Sequence, residues 1–195
     1  MKHKAELLLV SLAEDMIAAT QAYVACSGLS LAEMPEHLLQ GWFFKSRHKE
    51  FTISIETPVA TILSWHKIEK EKCRYNSGNV DLVIYGGDDI PKSKQDVFSI
   101  IELKRTWVDI WHDADRTENL LEVLSGKDGK PRLAVVAGVC WKGWREKNLG
   151  HLETRRVAGW EHHVMTPFNV TEPDTASQTE LEIVLMCRKL GRWTS

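Results

Sequence analysis

Val80-Asp81-Leu82-Val83-Ile84-Tyr85 and, beyond a polar loop, Phe98-Ser99-Ile100-Ile101-Glu102-Leu103-Lys104 decide how this chain folds. Both segments are short apolar runs with β-branched and aromatic side chains, the pattern of buried strands. The loop opens with Gly86-Gly87-Asp88-Asp89-Ile90-Pro91, a cluster of turn residues. Side chains alternate faces along a strand. Asp81 therefore shares a face with Val83 and Tyr85, and Glu102 shares one with Phe98, Ile100 and Lys104. If the two strands are neighbours, Asp81 comes alongside Glu102. Charges are rare in such apolar surroundings unless paired or metal-bound.

The flanking sequence supplies the rest of an α/β pattern. Leu8, Leu9, Leu12, Met16, Ala19 and Tyr23 recur at helical spacing over residues 4–25, and Ser27-Gly28 stops that helix. Ser30-x-x-Glu33 resembles a capping box, and Pro35 suits the first turn of a second helix reaching about residue 48. Phe51 to Glu56 alternates as a half-buried strand ended by Pro58. Residues 61–74 fit a short helix or a strand. A helix is expected over 107–124, a turn from Gly126 to Pro131, and a strand buried on both faces at Leu133–Cys140. Residues 171–179 read as loop, and Leu181–Cys187 as a last strand. Helix, helix, strands, helix, strand predicts a single α/β domain. Its parts are an N-terminal helical extension (1–34), a core (35–140) with a mixed sheet of four to five strands flanked by helices, and a C-terminal elaboration (141–195).

Composition narrows the function. The 195 residues carry a net charge of −2, with 43% hydrophobic and 27% charged residues. That suits a globular protein and excludes the global basic field of sequence-blind nucleic-acid binders, while leaving room for a local basic groove. Cys26, Cys73, Cys140 and Cys187 are far apart in sequence and form no C-x-x-C, which argues against a zinc knuckle and for reduced thiols in the cytoplasm. Met1-Lys2-His3-Lys4 before Leu7-Leu8-Leu9-Val10 imitates a signal peptide, but Glu6 and then Glu14-Asp15 favour an amphipathic helix. No stretch reads as a membrane span, so no membrane partner is expected.

Two carboxylates held close in an apolar setting repel, and burial raises their pKa values. A divalent cation removes that cost, since Mg²⁺ binds through one or two carboxylates and keeps several waters. Such an ion activates water and neutralises charge on a phosphate, and a neighbouring lysine orients that water or stabilises the developing charge. The alternative is plain: Glu102 and Lys104 as an ion pair at a strand end, and Asp81 as an edge or turn residue.

Asp81, followed after a loop by Glu102-Leu103-Lys104, resembles the signature of the PD-(D/E)XK nucleases. The similarity spans residues 35–140, with Val80 standing where that family has proline. It implies a restriction-endonuclease-like core and an Mg²⁺-dependent endonuclease acting on DNA, with Mn²⁺ as substitute and a homodimer where both strands are cut. By the same resemblance Asp81, Glu102 and the Leu103 carbonyl hold metal, Lys104 assists the nucleophilic water, and a helix contributes one more carboxylate. Glu36 fits that last role, with Gln40 one turn on. Glu36 also suits a helix dipole, and Glu56 competes with it. A catalytically inactive module of the same fold, binding nucleic acid or a protein, is the alternative.

Weaker signals lie outside the motif. Arg105, Lys142 and Arg145 are candidate nucleic-acid contacts, the latter two among Trp141, Trp144 and Trp160. Packing is the simpler role for those tryptophans. Asp109, His112, Asp113, Asp115 and Arg116 either line the mouth of a site or form a solvated first turn, the latter being favoured. His162-His163 lacks the spacing of a helical zinc pair and has no local partner motif.

Overall fold

A computed structural model describes residues 2–86, 96–105, 110–142, 159–164, 167–173 and 176–193. The chain forms α1 (Lys2–Ser27), α2 (Glu36–Arg47), β1 (Thr52–Pro58), α3 (Val59–Trp65), β2 (Asn79–Tyr85), β3 (Val97–Lys104), α4 (Ile110–Asp128), β4 (Arg132–Trp141), β5 (Glu161–Val164), β6 (Phe168–Thr171) and β7 (Gln178–Leu190). One mixed, open sheet of seven strands runs β1-β2-β3-β4-β7-β5, and β6 also pairs with β7. Every pairing is antiparallel except β3 with β4. That parallel pair needs a crossover, and α4 lies within the connection.

Period-two alternation sorts the strands into two cores. Leu82, Ile84, Ile101, Leu103, Leu133, Val135, Ile183 and Leu185 lie on one side, in a cluster with the apolar faces of α1 and α2. Val83, Ile100, Ala134, Val136, Val184 and Met186 lie on the other, under α3 and α4. Each fully buried aliphatic side chain contributes roughly 1.5–3 kcal/mol, so slipping a central strand by one residue would expose an entire row. β4 is buried from Leu133 to Cys140, as its unbroken apolar run predicts, and so is Arg132 ahead of that run.

Several expectations need correction. The sheet is larger than four to five strands, because β7 spans 13 residues and carries β5 and β6 on the edge away from β4. Those two strands are four residues each, too short to stand out as periodic runs. α4 continues through Gly126 to Asp128 before turning at Gly129, whose φ is +68°. Pro35 caps α2 rather than opening its first turn, and the Ser30–Glu33 pair belongs to a 3₁₀ turn ahead of it. Phe98 does not share the face of Ile100: Ile84 pairs with Ser99 but Tyr85 with Val97, so Phe98 is a bulged extra residue in the α1-side core. By length and composition α1 is long and apolar enough to cross a membrane, contrary to the expectation of no such stretch. Half of that apolar window is buried within the fold.

Candidate functional site

The end of the sheet where β2 starts and β3 finishes lies between α2 and α4. α2 brings Glu36 and Gln40, one turn apart on one face. β2 brings Asp81, β3 brings Glu102 and Lys104, and α4 brings Asp113 and Arg116.

Asp81 marks the point where β2 and β3 separate. Leu82 pairs with Ile101 and Val83 with Ile100, which would set Asp81 opposite Glu102, but no backbone pairing continues there. The Asp81 carboxylate bridges the opening instead. Its Oδ2 accepts from the Leu103 N–H at 2.6 Å, and its Oδ1 accepts from Gln40 Nε2 at 3.0 Å. The same Gln40 nitrogen donates to Glu56 Oε1 at 2.8 Å. Glu56 lies across from Asp81 on β1, between the Ile55–Leu82 and Thr57–Val80 pairs, with φ at +49°.

Glu102 is 1% exposed. Arg116 Nη2 lies 2.7 Å from Glu102 Oε1, an ion-pair contact whose angles leave that buried oxygen without an aligned hydrogen-bond donor among the described residues. Lys104 turns away from Glu102 and meets Asp113 Oδ2 at 2.9 Å, while Arg116 also approaches Asp113 at 3.6 Å. Glu102 and Lys104 thus share a face as predicted but do not pair with each other. Asp113 is 6% exposed, so α4 opens with a buried acid in place of the expected solvated turn.

Among the described residues the charges do not balance. Asp81, Glu102, Asp113, Glu36 and Glu56 face the cations Lys104 and Arg116, since each of these acids acts electrostatically on a neighbour in the group. Burial pushes the Asp81 carboxyl up; the Leu103 amide and Lys104 draw it back, and Glu56 and Glu36 add to the rise. Burial lifts Glu102 well above the usual carboxylate range, with Asp81 next in effect and Arg116 opposing. Desolvation works against the Lys104 ammonium, but Asp113, Glu36 and Asp81 hold it above the ordinary lysine value. Lys104 is therefore cationic at neutral pH.

The remaining candidates fall into place around this centre. Glu36 Oε1 accepts from the Arg105 N–H at 3.2 Å and acts on both Asp81 and Lys104, whereas Glu56 is exposed and acts on Asp81. Arg105 donates from Nη1 to the Met34 carbonyl at 3.1 Å, which ties its side chain to the turn before α2. Leu103 engages the site through its N–H, where the resemblance implies its carbonyl. Lys142 is exposed and pairs with Glu180 at 2.7 Å. Arg145, Trp144 and Asp109 lie outside the described residues. Trp160 is 8% exposed and donates to Glu118 at 2.7 Å, a packing role. Asp113 and Arg116 carry a signal in sequence, an Asp-x-x-Arg spacing on one helical face, but nothing local shows that this face is covered.

Comparison with family models, curated proteins and solved structures finds no match.

Proposed function

We propose that this protein is a divalent-metal-dependent nuclease with a restriction-endonuclease-like core, of the PD-(D/E)XK kind, hydrolysing phosphodiester bonds in DNA. The observation that carries this proposal is the meeting of Asp81 and Glu102 on adjacent, separating strands, both shifted toward protonation, with a cationic Lys104 beside them. A buried carboxylate oxygen with no aligned donor suits a hard cation, which prefers oxygen ligands. Asp81, Glu102 and the Leu103 carbonyl would hold Mg²⁺ or Mn²⁺, which supplies a water of lowered pKa and neutralises charge on the phosphate.

The chain's own groups complete the chemistry. Lys104 remains protonated and donates hydrogen bonds to the attacking water or to a phosphate oxygen. Asp113 holds that ammonium in place at 2.9 Å. Arg116, which lies 2.7 Å from Glu102 Oε1, would offer its guanidinium to the developing negative charge if Glu102 held the cation. Gln40 fixes Asp81 Oδ1 through its amide. Glu36 is favoured over Glu56 as the helical carboxylate, because it reaches the fields of both Asp81 and Lys104.

The test is cleavage of plasmid DNA with Mg²⁺ or Mn²⁺ by the wild type, Asp81→Ala and Lys104→Ala. Cleavage lost in both variants supports the assignment, and cleavage unchanged in both refutes it. The closed Lys104–Asp113 and Arg116–Glu102 contacts favour a second reading, an inactive module of this fold that binds nucleic acid or a protein. Absence of any calorimetric heat or thermal shift with either cation selects that alternative.

A further inference from the structure

A different kind of ligand set lies at the far edge of the sheet, independent of the proposed nuclease centre. β5 pairs antiparallel with β7, setting Glu161 opposite Cys187 and His163 opposite Leu185. Directly paired residues share a face of a sheet, as do residues two apart on a strand. Glu161, His163 and Cys187 therefore project together. One donor atom from each lies within 4.8 Å of the other two. His163 Nε2 sits 3.5 Å from Cys187 Sγ and 3.8 Å from Glu161 Oε2.

We propose that Glu161, His163 and Cys187 form a binding site for a borderline-soft divalent cation of the zinc type, with water completing the coordination. Tetrahedral bonds of about 2.0–2.3 Å place a nitrogen and a sulfur ligand roughly 3.5 Å apart and a nitrogen and an oxygen roughly 3.3 Å apart, so the 3.5 Å His163–Cys187 separation already matches and the 3.8 Å His163–Glu161 separation must close by about half an ångström. One sulfur, one imidazole nitrogen and one carboxylate oxygen are donors that Zn²⁺ accepts and Mg²⁺ does not, because thiolate is too soft for a hard ion. Cys187 is 1% exposed while Glu161 and His163 are half open to solvent, so the ion has a route in and a sheltered sulfur at the base.

The site has two opposing groups. Lys189, two residues from Cys187, places its ammonium 3.1 Å from both oxygens of Glu161. A cation displaces it. Burial and Glu161 push the Cys187 thiol up to about 11, so metal binding releases its proton to solvent as the metal–sulfur bond forms. Without metal, the same Glu161–Lys189 pair serves as an edge charge that discourages strand addition. His163 has no partner motif nearby in sequence because Cys187 lies 24 positions away, on another strand.

Titration of the full chain with Co²⁺ tests the site, since Co²⁺ bound to thiolate absorbs in the near ultraviolet and Zn²⁺ displaces it from such sites. The band is expected in the wild type, Cys26→Ser and Asp81→Asn. It should vanish in Cys187→Ser and weaken about tenfold or more in the solvent-facing variant His163→Ala. Excess Zn²⁺ should abolish it and excess Mg²⁺ should not. A band that follows Cys26, a band that survives Cys187→Ser, or no band in the wild type overturns the proposal. A loss in Asp81→Asn as large as that in Cys187→Ser would likewise overturn it, because the Asp81 centre offers no thiolate to the ion.

Discussion

Two buried charges at opposite ends of the sheet are treated in opposite ways. Arg132, at the start of β4, is 0% exposed, and Asp128 receives it in a two-pronged contact at 2.6 and 2.8 Å. Against its own partial burial, Asp128 is held below the usual carboxylate range by Arg132 and the Lys130 amide. Glu102, near the end of β3, is as deeply buried but meets one off-angle cation and two acids, Asp81 and Asp113, and is lifted well above that range. Burying a charge costs several kcal/mol unless partners restore what water provided. At Arg132 the fold restores most of it, with Nε left over. At Glu102 it does not.

That contrast can be broken at either end. The largest effect is expected from Asp81→Asn or Glu102→Gln, each lowering divalent-dependent DNA cleavage by about a thousandfold or more while the protein stays folded; rate assays alongside circular dichroism check this. Asp128→Ala should cost about 3 kcal/mol of stability by leaving Arg132 buried and unpaired. Denaturant unfolding measures that loss, and cleavage per folded molecule should hold.

His66 gives a pH-dependent signature at the same end as Arg132. It is 4% exposed, its Nε2 has no hydrogen-bond partner among the described residues, and burial with repulsion from Arg132, Lys127 and Lys130 pushes its pKa down to about 4, Asp128 opposing. A histidine with a lowered folded pKa contributes stability that is present above its unfolded value of 6.5 and lost as pH falls through about 4. His66→Gln should flatten that decline by roughly 2 kcal/mol, read from unfolding at pH 7 and pH 4. The smallest effect is the most pointed: without divalent cations at pH 7.5, Glu102→Gln should gain on the order of 1 kcal/mol over wild type. Added Mg²⁺ should reverse the ranking.

Much of the fold is legible in the sequence because burial writes itself as periodicity. The β4 run, the helical spacing of Leu8, Leu12 and Met16, and the turn at Gly28 all follow from local rules. β5 and β6 do not, because four residues on a sheet edge need little apolar alternation, and β7 supplies their pairing. The bulge at Phe98 escapes for a related reason: register is set by the partner strand. At the site, Asp81, Glu102 and Lys104 are readable as charges in apolar strands. Asp113 and Arg116 carry the right types, but only packing against β3 distinguishes a covered helix face from a solvated one. The bridge from Gln40 to both Asp81 and Glu56 depends on three separate elements and has no signature in the sequence of any one of them.

The most direct test of a hard-metal centre at the β2–β3 opening is Mn²⁺ binding followed by electron paramagnetic resonance in wild type, Asp81→Asn and Cys187→Ser. Binding in the wild type that is lost in Asp81→Asn and kept in Cys187→Ser is the expected result. Equal Mn²⁺ binding by wild type and Asp81→Asn would contradict a metal centre at Asp81 and Glu102.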